Sequence, residues 1–558
     1  MKKELWTTVD YYDDVLGANR HYSERDLDAM MKYAASLGCA RVQWILDTIW
    51  TFYDENPPGG FDLLKTACDA AHRHGMRFGV VFKPFEGALA GASVLPDALP
   101  VPDNAPVLKD GTCLIHAFRP RVAKNPEMNL ARLNGSEADP GGRIAAIRLV
   151  KNDDAPAPFG PGDLSIWASP RNGGYARYAG PVSFSAGTDW RMMFPYGAKP
   201  YRIVTLGNLD LPGGTRFVMV RREKGGGSFT NAVEHIVELV NERGEIIPST
   251  PALRPVDGAR LFELFGKNVR LKLTPFTCTP EAQAIAEDRA GFLKLCEGMH
   301  RFDAGWENAA LEEGGSLVAM RGKARGRTGA MHPVYPEVRQ DWLDHIRYCI
   351  ARGVDSVNIR TECHNRAYEP YWFGFNPPVV ARIEHPGNFA EARHINGEAY
   401  TQFMREAADL LHASGREMGI HVNAVILHHD DRAPNNSPVP LNFEWQWERW
   451  LKEFADFVEY RGSFHLRPEN QHYVADRIGL AAREAGIPFV YQSLRGNGMV
   501  SFDGPHHALA WDMDRSRAHP DVSVYNLYEM AAFSRLDPEK EFEGSPDIAK
   551  LVRQHWLA

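Results

Sequence analysis

The stretch GVDSVNIRTECHN (Gly353–Asn365) decides how the chain is read. Its first half is the apolar run of a buried β-strand. Asn358, Arg360, Glu362 and His364 then follow at every second position. Alternate residues of a strand share one face, so these four project together from the strand's C-terminal end. Polar groups gathered there point to a site at the ends of parallel strands.

Working outward, the same rhythm extends on both sides. YPEVRQDWLDHIRYCIARG (335–353) is a helix with Pro336 near its first position. After the strand come a helix over 397–415, a strand over 416–427, a helix over 443–455 and a strand over 456–461. A helix over 470–486, a strand over 487–493, a helix over 506–518 and a strand over 521–529 complete this half. Towards the N-terminus, strands begin at Glu4, at residue 40 and at residue 76. Two helices lie between them: 23–38, opened by a Ser23–Asp26 capping box and stopped by Gly38, and 60–75, stopped by Gly75. Three strands before and five after make eight. Successive strand–helix units imply parallel strands with right-handed crossovers.

The rhythm breaks between 88 and 331. Residues 88–140 are rich in Pro, Asp and Ala. From about 141 to 275 the pattern is short strands separated by Gly and Pro, ending with NVRLKLTPF (268–276), and a helix is expected over 280–299. The fold class expected is therefore α/β: a (β/α)8 TIM barrel over 1–87 and 332–558, with a β-sandwich-like module inserted after strand three. A doubly wound open sheet is the rival, but no GxGxxG or GxxxxGK[ST] stands at a strand–helix turn. Loops that follow barrel strands lie at the C-terminal face, where active sites sit. The insert is thus expected to rise from that face as a wall, lid or binding platform.

The segments GAMHPVYPEVRQDWLDHIRYCIARGVDSVNIR and YWFGFNPPVV resemble the TIM barrels described as family-10-like glycosyl hydrolases. The resemblance is clearest over about 330–430 and does not include the insert. It implies a TIM barrel that hydrolyses glycosidic bonds, acts on carbohydrate and needs no cofactor. Arg360 stands where such proteins usually place an Asp, which leaves Glu362 as the nearest carboxylate.

Glycoside hydrolysis requires a proton donor for the leaving oxygen and a second carboxylate as nucleophile or base. By position, the candidates are Glu362 after strand four as the acid, Glu459 in strand six as the second carboxylate, and Glu529 after strand eight. Asp10 and Glu86 are reserves. The substrate-binding candidates are Asp10, Trp44, Arg360, His364, His421, Asn423, Gln492 and Tyr525. Arg360 suits hydroxyls or anions. Aromatic residues after strands two and four (Trp44, Trp50, Phe52, Tyr53; Tyr368, Tyr371, Trp372, Phe373) suit sugar faces. The Gly-rich segment SLRGNGMVSFDGPHH after strand seven suits a closing loop. Two alternatives stay open: a metal-dependent barrel using His421, Asn423 and His428–His429–Asp430, and a carbohydrate-binding barrel without catalysis.

Of the 558 residues, 44% are hydrophobic and the net charge is −8, which argues against a broad nucleic-acid surface. No apolar run reaches the length of a membrane span. The N-terminal MKKELWTTVDYYDD lacks the apolar core of a signal peptide, so a cytoplasmic location is expected, or a secreted or periplasmic one if a leader was removed. The seven cysteines form no CxxC, which favours reduced thiols.

Overall fold

Eight parallel strands close into one barrel in the computed structural model: β1 (Glu4–Val9), β2 (Cys39–Leu46), β3 (Arg77–Phe82), β4 (Ser356–Arg360), β5 (Glu417–Asn423), β6 (Phe457–Arg461), β7 (Phe489–Gln492) and β8 (Val522–Leu527). The structure describes residues 3–10, 22–46, 61–86, 125–133, 138–151, 153–170, 175–193, 197–229, 236–252, 311, 313, 316–323, 325–362, 367–368, 370–385, 388–423, 436–437, 440, 442–461, 468–493, 507–535 and 542–557. Closure is made by the outermost strands. β1 pairs with β8 through Glu4↔Val524, Leu5↔Tyr525, Trp6↔Asn526 and Thr7↔Leu527. This is the (β/α)8 architecture expected from the strand count.

The helices that coat the barrel are α1 (Glu24–Ser36), α2 (Leu63–Arg73), α3 (Pro336–Ala351), α4 (Phe389–Ala413), α5 (Trp447–Glu453), α6 (Pro468–Ala485), α7 (His507–Ala518) and α8 (Pro546–Val552). Their local signals are those read in the sequence. Ser23 and Asp26 form a reciprocal capping box on α1. Pro336 opens α3, where its missing N–H costs nothing. Gly38 (φ 81°) and Gly75 (φ 77°) follow α1 and α2 in the left-handed region that glycine enters without a steric penalty. α4 begins at Phe389, earlier than the 397 expected, because Asn388 caps it by accepting from the backbone of Ala390 and Glu391. α8, which starts at the cap Ser545, was not foreseen in the sequence.

The inside of the barrel is recognisable from bonds between strands that are not neighbours, since such bonds cross the interior. Trp6 of β1 meets Phe457 of β6 edge to face at 5.3 Å, and Val490 and Val524 join them as a floor. A Cβ on Gly419 would lie 2.2 Å from the Phe457 ring, so only glycine leaves that ring its place. The Arg41 guanidinium stacks over Trp6 at 4.2 Å and pairs with Glu417 and with Ser356. This lower face is stitched further by Arg77 with Glu4 and Glu417. Above the floor the inward side chains are polar, and that layer carries the candidate site.

Between β3 and β4 the chain builds two antiparallel five-stranded sheets outside the barrel. One runs Ser249–Ala252, Ser316–Arg321, Phe217–Arg222, Leu164–Ser169, Ala176–Arg177; the other runs Ile246–Ile247, Ile236–Asn241, Ile144–Val150, Gly197–Gly207, Ser183–Met193. Ile147, Leu149, Val204 and Leu239 of the second sheet pack with Ile166, Val218, Val220 and Ala319 of the first in one apolar cluster, distinct from the barrel's. Ser183–Met193 is a strand that the sequence does not announce, since SFSAGTDWRMM shows no apolar alternation; most of its described residues are exposed. Segments 268–276 and 280–299 lie outside the described residues.

Candidate active site

Three rows of side chains rise through the barrel where β4, β5 and β6 lie side by side. Asn358, Gly419 and Phe457 stand in register, then Arg360, His421 and Glu459. Asn423 and Arg461 form the next row, with Glu362 two residues beyond Arg360. The alternation that singled out Asn358, Arg360 and Glu362 is thus the inward face of β4.

Glu459 sits at the centre of this layer and is fully buried. Both its oxygens accept amide hydrogens, one from Asn358 on β4 and one from Asn526 on β8, each at 2.5 Å. Burial pushes its carboxyl up from 4.5 to about 7, against the bonds from Asn526 and Asn358 and the charges of Arg360 and Arg41. A carboxyl in this state exchanges its proton near neutrality, which is what a general acid must do.

Glu362 has the opposite surroundings. Arg360 Nη2 donates to it at 2.8 Å, and Arg461 Nη1 stands 3.5 Å from the same oxygen. Arg461 in turn lies over the Tyr528 ring at 4.5 Å. Burial works against the Arg360 charge, but Glu362, Tyr528, Glu86 and Asp10 outweigh it, and its pKa is raised. Lys83 and Glu86 form a second buried ion pair at 2.9 Å after β3. Asp10 after β1 and Glu529 after β8 are buried at the same end of the barrel.

His421 is buried beside Arg360, with Nε2 3.5 Å from Gln492 Oε1 on β7. Burial first, then Arg360 and Lys83, hold its pKa well below the usual value, so the ring is neutral. Gln492 also donates to Thr8, and Thr8 donates to Asn526. Thr8 and Asn526 were not singled out in the sequence. The available signal was a polar residue in an otherwise apolar strand, as in LWTTV and SVYNL.

Two of the binding candidates lie elsewhere. Trp44 is fully buried on the outer side of β2, against Tyr22 and Phe78, as part of the core under the helices. Tyr525 also faces outward: its hydroxyl donates to Asp512 of α7 at 2.7 Å and its ring packs on Trp556. Neither reaches the mouth, because each follows an inward residue by an odd step. Of the aromatic platform after strand four, Phe373 belongs to the barrel core and Trp372 meets Phe389 and Arg132. His364, Trp50, Phe52, Tyr53, His428, His429, Asp430 and most of the Gly-rich segment lie outside the described residues. Among the described residues no three His, Cys, Asp or Glu side chains gather as metal ligands, and no helix is long and apolar enough to cross a membrane.

No protein-family model matches the chain, and no characterised protein matches it in sequence. Solved structures show only distant similarity to it. The catalytic domain of β-amylase from Paenibacillus polymyxa is 7% identical, with TM-score 0.37, over 100% of this chain and 99% of that one. β-Galactosidase from the psychrophilic Marinomonas ef1 is 9% identical, with TM-score 0.38, over 99% of this chain and 59% of that one. The Bacillus megaterium QM B1551 spore cortex-lytic enzyme SleL is 10% identical, with TM-score 0.24, over 40% of this chain and 54% of that one. Values this low transfer neither activity nor residue roles to this chain.

Proposed function

We propose that the protein is a glycoside hydrolase that works by carboxylate acid–base catalysis at the C-terminal mouth of the barrel. The observation that carries this is the contrast between the surroundings of two carboxyl groups at the C-terminal end of the barrel, one after β4 and one in β6. Glu459 is fully buried, accepts from two side-chain amides, and is pushed up by burial to about 7. Glu362 is held between two guanidiniums. A carboxyl that holds its proton to near neutrality suits the acid, and a second carboxyl in the same barrel mouth supplies the other role.

The roles are therefore the reverse of those expected from sequence. Glu459 gives its proton to the departing glycosidic oxygen as the C–O bond breaks. Glu362, which accepts from Arg360 and lies beside Arg461, serves as nucleophile at the anomeric carbon or as base for a water. His421, Asn423 and Gln492 face the same space and hold hydroxyls, while Glu529 and Asp10 border it. Residues 88–331 are an inserted unit, with a β-sandwich-like module over about 141–275, that rises from the catalytic face and walls the cleft.

The test is hydrolysis of a panel of plant, bacterial and fungal polysaccharides, followed by release of reducing ends, with wild type and Glu362→Gln. The variant should lose on the order of 10²–10⁴-fold in rate while still binding the saccharide. A wild-type rate in Glu362→Gln would remove this carboxylate from the chemistry. A second reading, a barrel that binds saccharide without cleaving it, draws on the Arg360–Glu362 ion pair, which occupies the carboxylate. It predicts binding by calorimetry with no release of reducing ends from any polysaccharide.

A further inference from the structure

The hydrogen bonds inside the barrel run in one direction. The Gln492 amide nitrogen donates to Thr8 Oγ1 at 3.3 Å, the Thr8 hydroxyl donates to Asn526 Oδ1 at 3.1 Å, and the Asn526 amide nitrogen donates to Glu459 at 2.5 Å. With its nitrogen committed to Thr8, Gln492 presents its carbonyl oxygen to His421 Nε2. An oxygen there has no hydrogen to give, so Nε2 carries the ring's proton. The neutral ring keeps a lone pair on Nδ1. That atom is buried and has no hydrogen-bond partner among the described residues. In register beside it stands Arg360, whose Nε–H is buried and likewise has no acceptor among the described residues. His421 is 2% exposed and Arg360 4%.

We propose that Arg360 Nε and His421 Nδ1 together read a hydroxyl of the bound sugar, and so select an uncharged, hydroxylated ring at this position over a uronic or sulfated one. The proposal rests on the glycosidase reading above. A hydroxyl is both acceptor and donor, so it takes the Arg360 N–H and gives its own hydrogen to His421. A carboxylate or sulfate oxygen only accepts. It would set negative charge against the Nδ1 lone pair and leave that acceptor buried and unsatisfied, which is costly. An ammonium only donates, and would face the Arg360 N–H. The charge of Arg360 is already answered by Glu362, so the guanidinium acts here through its geometry.

Two measurements on the full-length protein test this. The first is ¹⁵N NMR of the imidazole-labelled chain. His421 should be the neutral, Nε2-protonated tautomer from pH 5 to pH 8, and an imidazolium or an Nδ1-protonated ring in that range would overturn the proposal. The second is calorimetry with methyl β-glucoside, β-galactoside and β-xyloside beside methyl β-glucuronide and β-galacturonide. The best neutral glycoside should bind about tenfold or more tighter than either uronide, the usual consequence of one buried unpaired group. His421→Phe should lose that preference and His421→Asn, which restores an acceptor, should recover part of it. A uronide that binds as well as the neutral sugars would overturn the selection and leave the glycosidase reading standing. Absence of binding by every glycoside, together with no polysaccharide hydrolysis, would bring down both.

Discussion

Glu459→Gln removes a buried titrating group while the surrounding amides can still be satisfied. Asn526 is fixed in orientation, because its Oδ1 accepts from Thr8. Asn358 is free to turn, since its Oδ1 has no hydrogen-bond partner among the described residues. The new amide can therefore accept from Asn526 through its oxygen and donate to a rotated Asn358. The fold should survive, and what changes is the response to pH. In the unfolded chain the Glu459 carboxyl loses its proton near 4.5; in the folded protein it keeps it to about 7. Its contribution to stability is therefore fully present below pH 4.5 and is lost as pH rises through 7. At about 1.4 kcal/mol per pH unit, the loss is about 3 kcal/mol. Urea unfolding of both proteins between pH 4 and pH 8 measures it. The variant should gain about 3 kcal/mol on the wild type across that range, while saccharide hydrolysis falls on the order of 10²–10⁴-fold. Parallel stability profiles for the two proteins would show that Glu459 does not hold a proton in the fold, and its role as acid would go with it.

Arg360→Lys keeps the charge but loses the planar fork that reaches Glu362, so kcat/KM should fall tenfold or more; wild-type kinetics would remove Arg360 from the site. Gly419→Ala sets a methyl 2.2 Å from the Phe457 ring in the barrel floor and should cost about 1–3 kcal/mol, read as a lower melting temperature. Asp512 lies behind β7 and β8, where its carboxyl accepts from Tyr491 at 3.0 Å and Tyr525 at 2.7 Å, and burial raises its pKa from 3.8 to about 6 despite those bonds. Its stabilising share is complete below pH 3.8 and lost as pH rises through 6, so Asp512→Asn should flatten the stability profile between pH 4 and pH 6 in chemical denaturation.

The barrel was legible because its strands are short apolar runs at regular spacing, each closed by a helix with its own start and stop residues. The inward face of β4 was legible because parity is strict: Asn358, Arg360 and Glu362 cannot part company. The same parity rule explains the two misplaced aromatics. In β2, Arg41 and Gln43 mark the inward positions, so Trp44 must face the helices; in β8, Asn526 does the same and turns Tyr525 outward. The difference in surroundings between Glu362 and Glu459 was only partly legible. Both are glutamates near strand ends, and what separates them is largely the company brought by other strands: amides from β4 and β8 for Glu459, and the Arg461 guanidinium of β6, beside the local Arg360, for Glu362. NIRTE announces the Arg360 beside Glu362, but nothing local to FVEYR announces the two amides on Glu459.

The place of the two extra sheets also governs how the chain emerges during synthesis. Residues 83–355 separate the end of β3 from the start of β4, its neighbour in the barrel. At about 5–20 residues per second, β3 waits roughly 14–55 s on the ribosome for the strand that pairs with it. Throughout that time Phe78, Val80 and Phe82, all buried in the finished protein, stand on an open strand edge. The antiparallel sheets, whose pairings are made within the insert, can form while the barrel is still three strands. The order of synthesis thus lets the inserted sheets form first, with α1 and α2 the elements at hand to cover the waiting strand until β4 arrives.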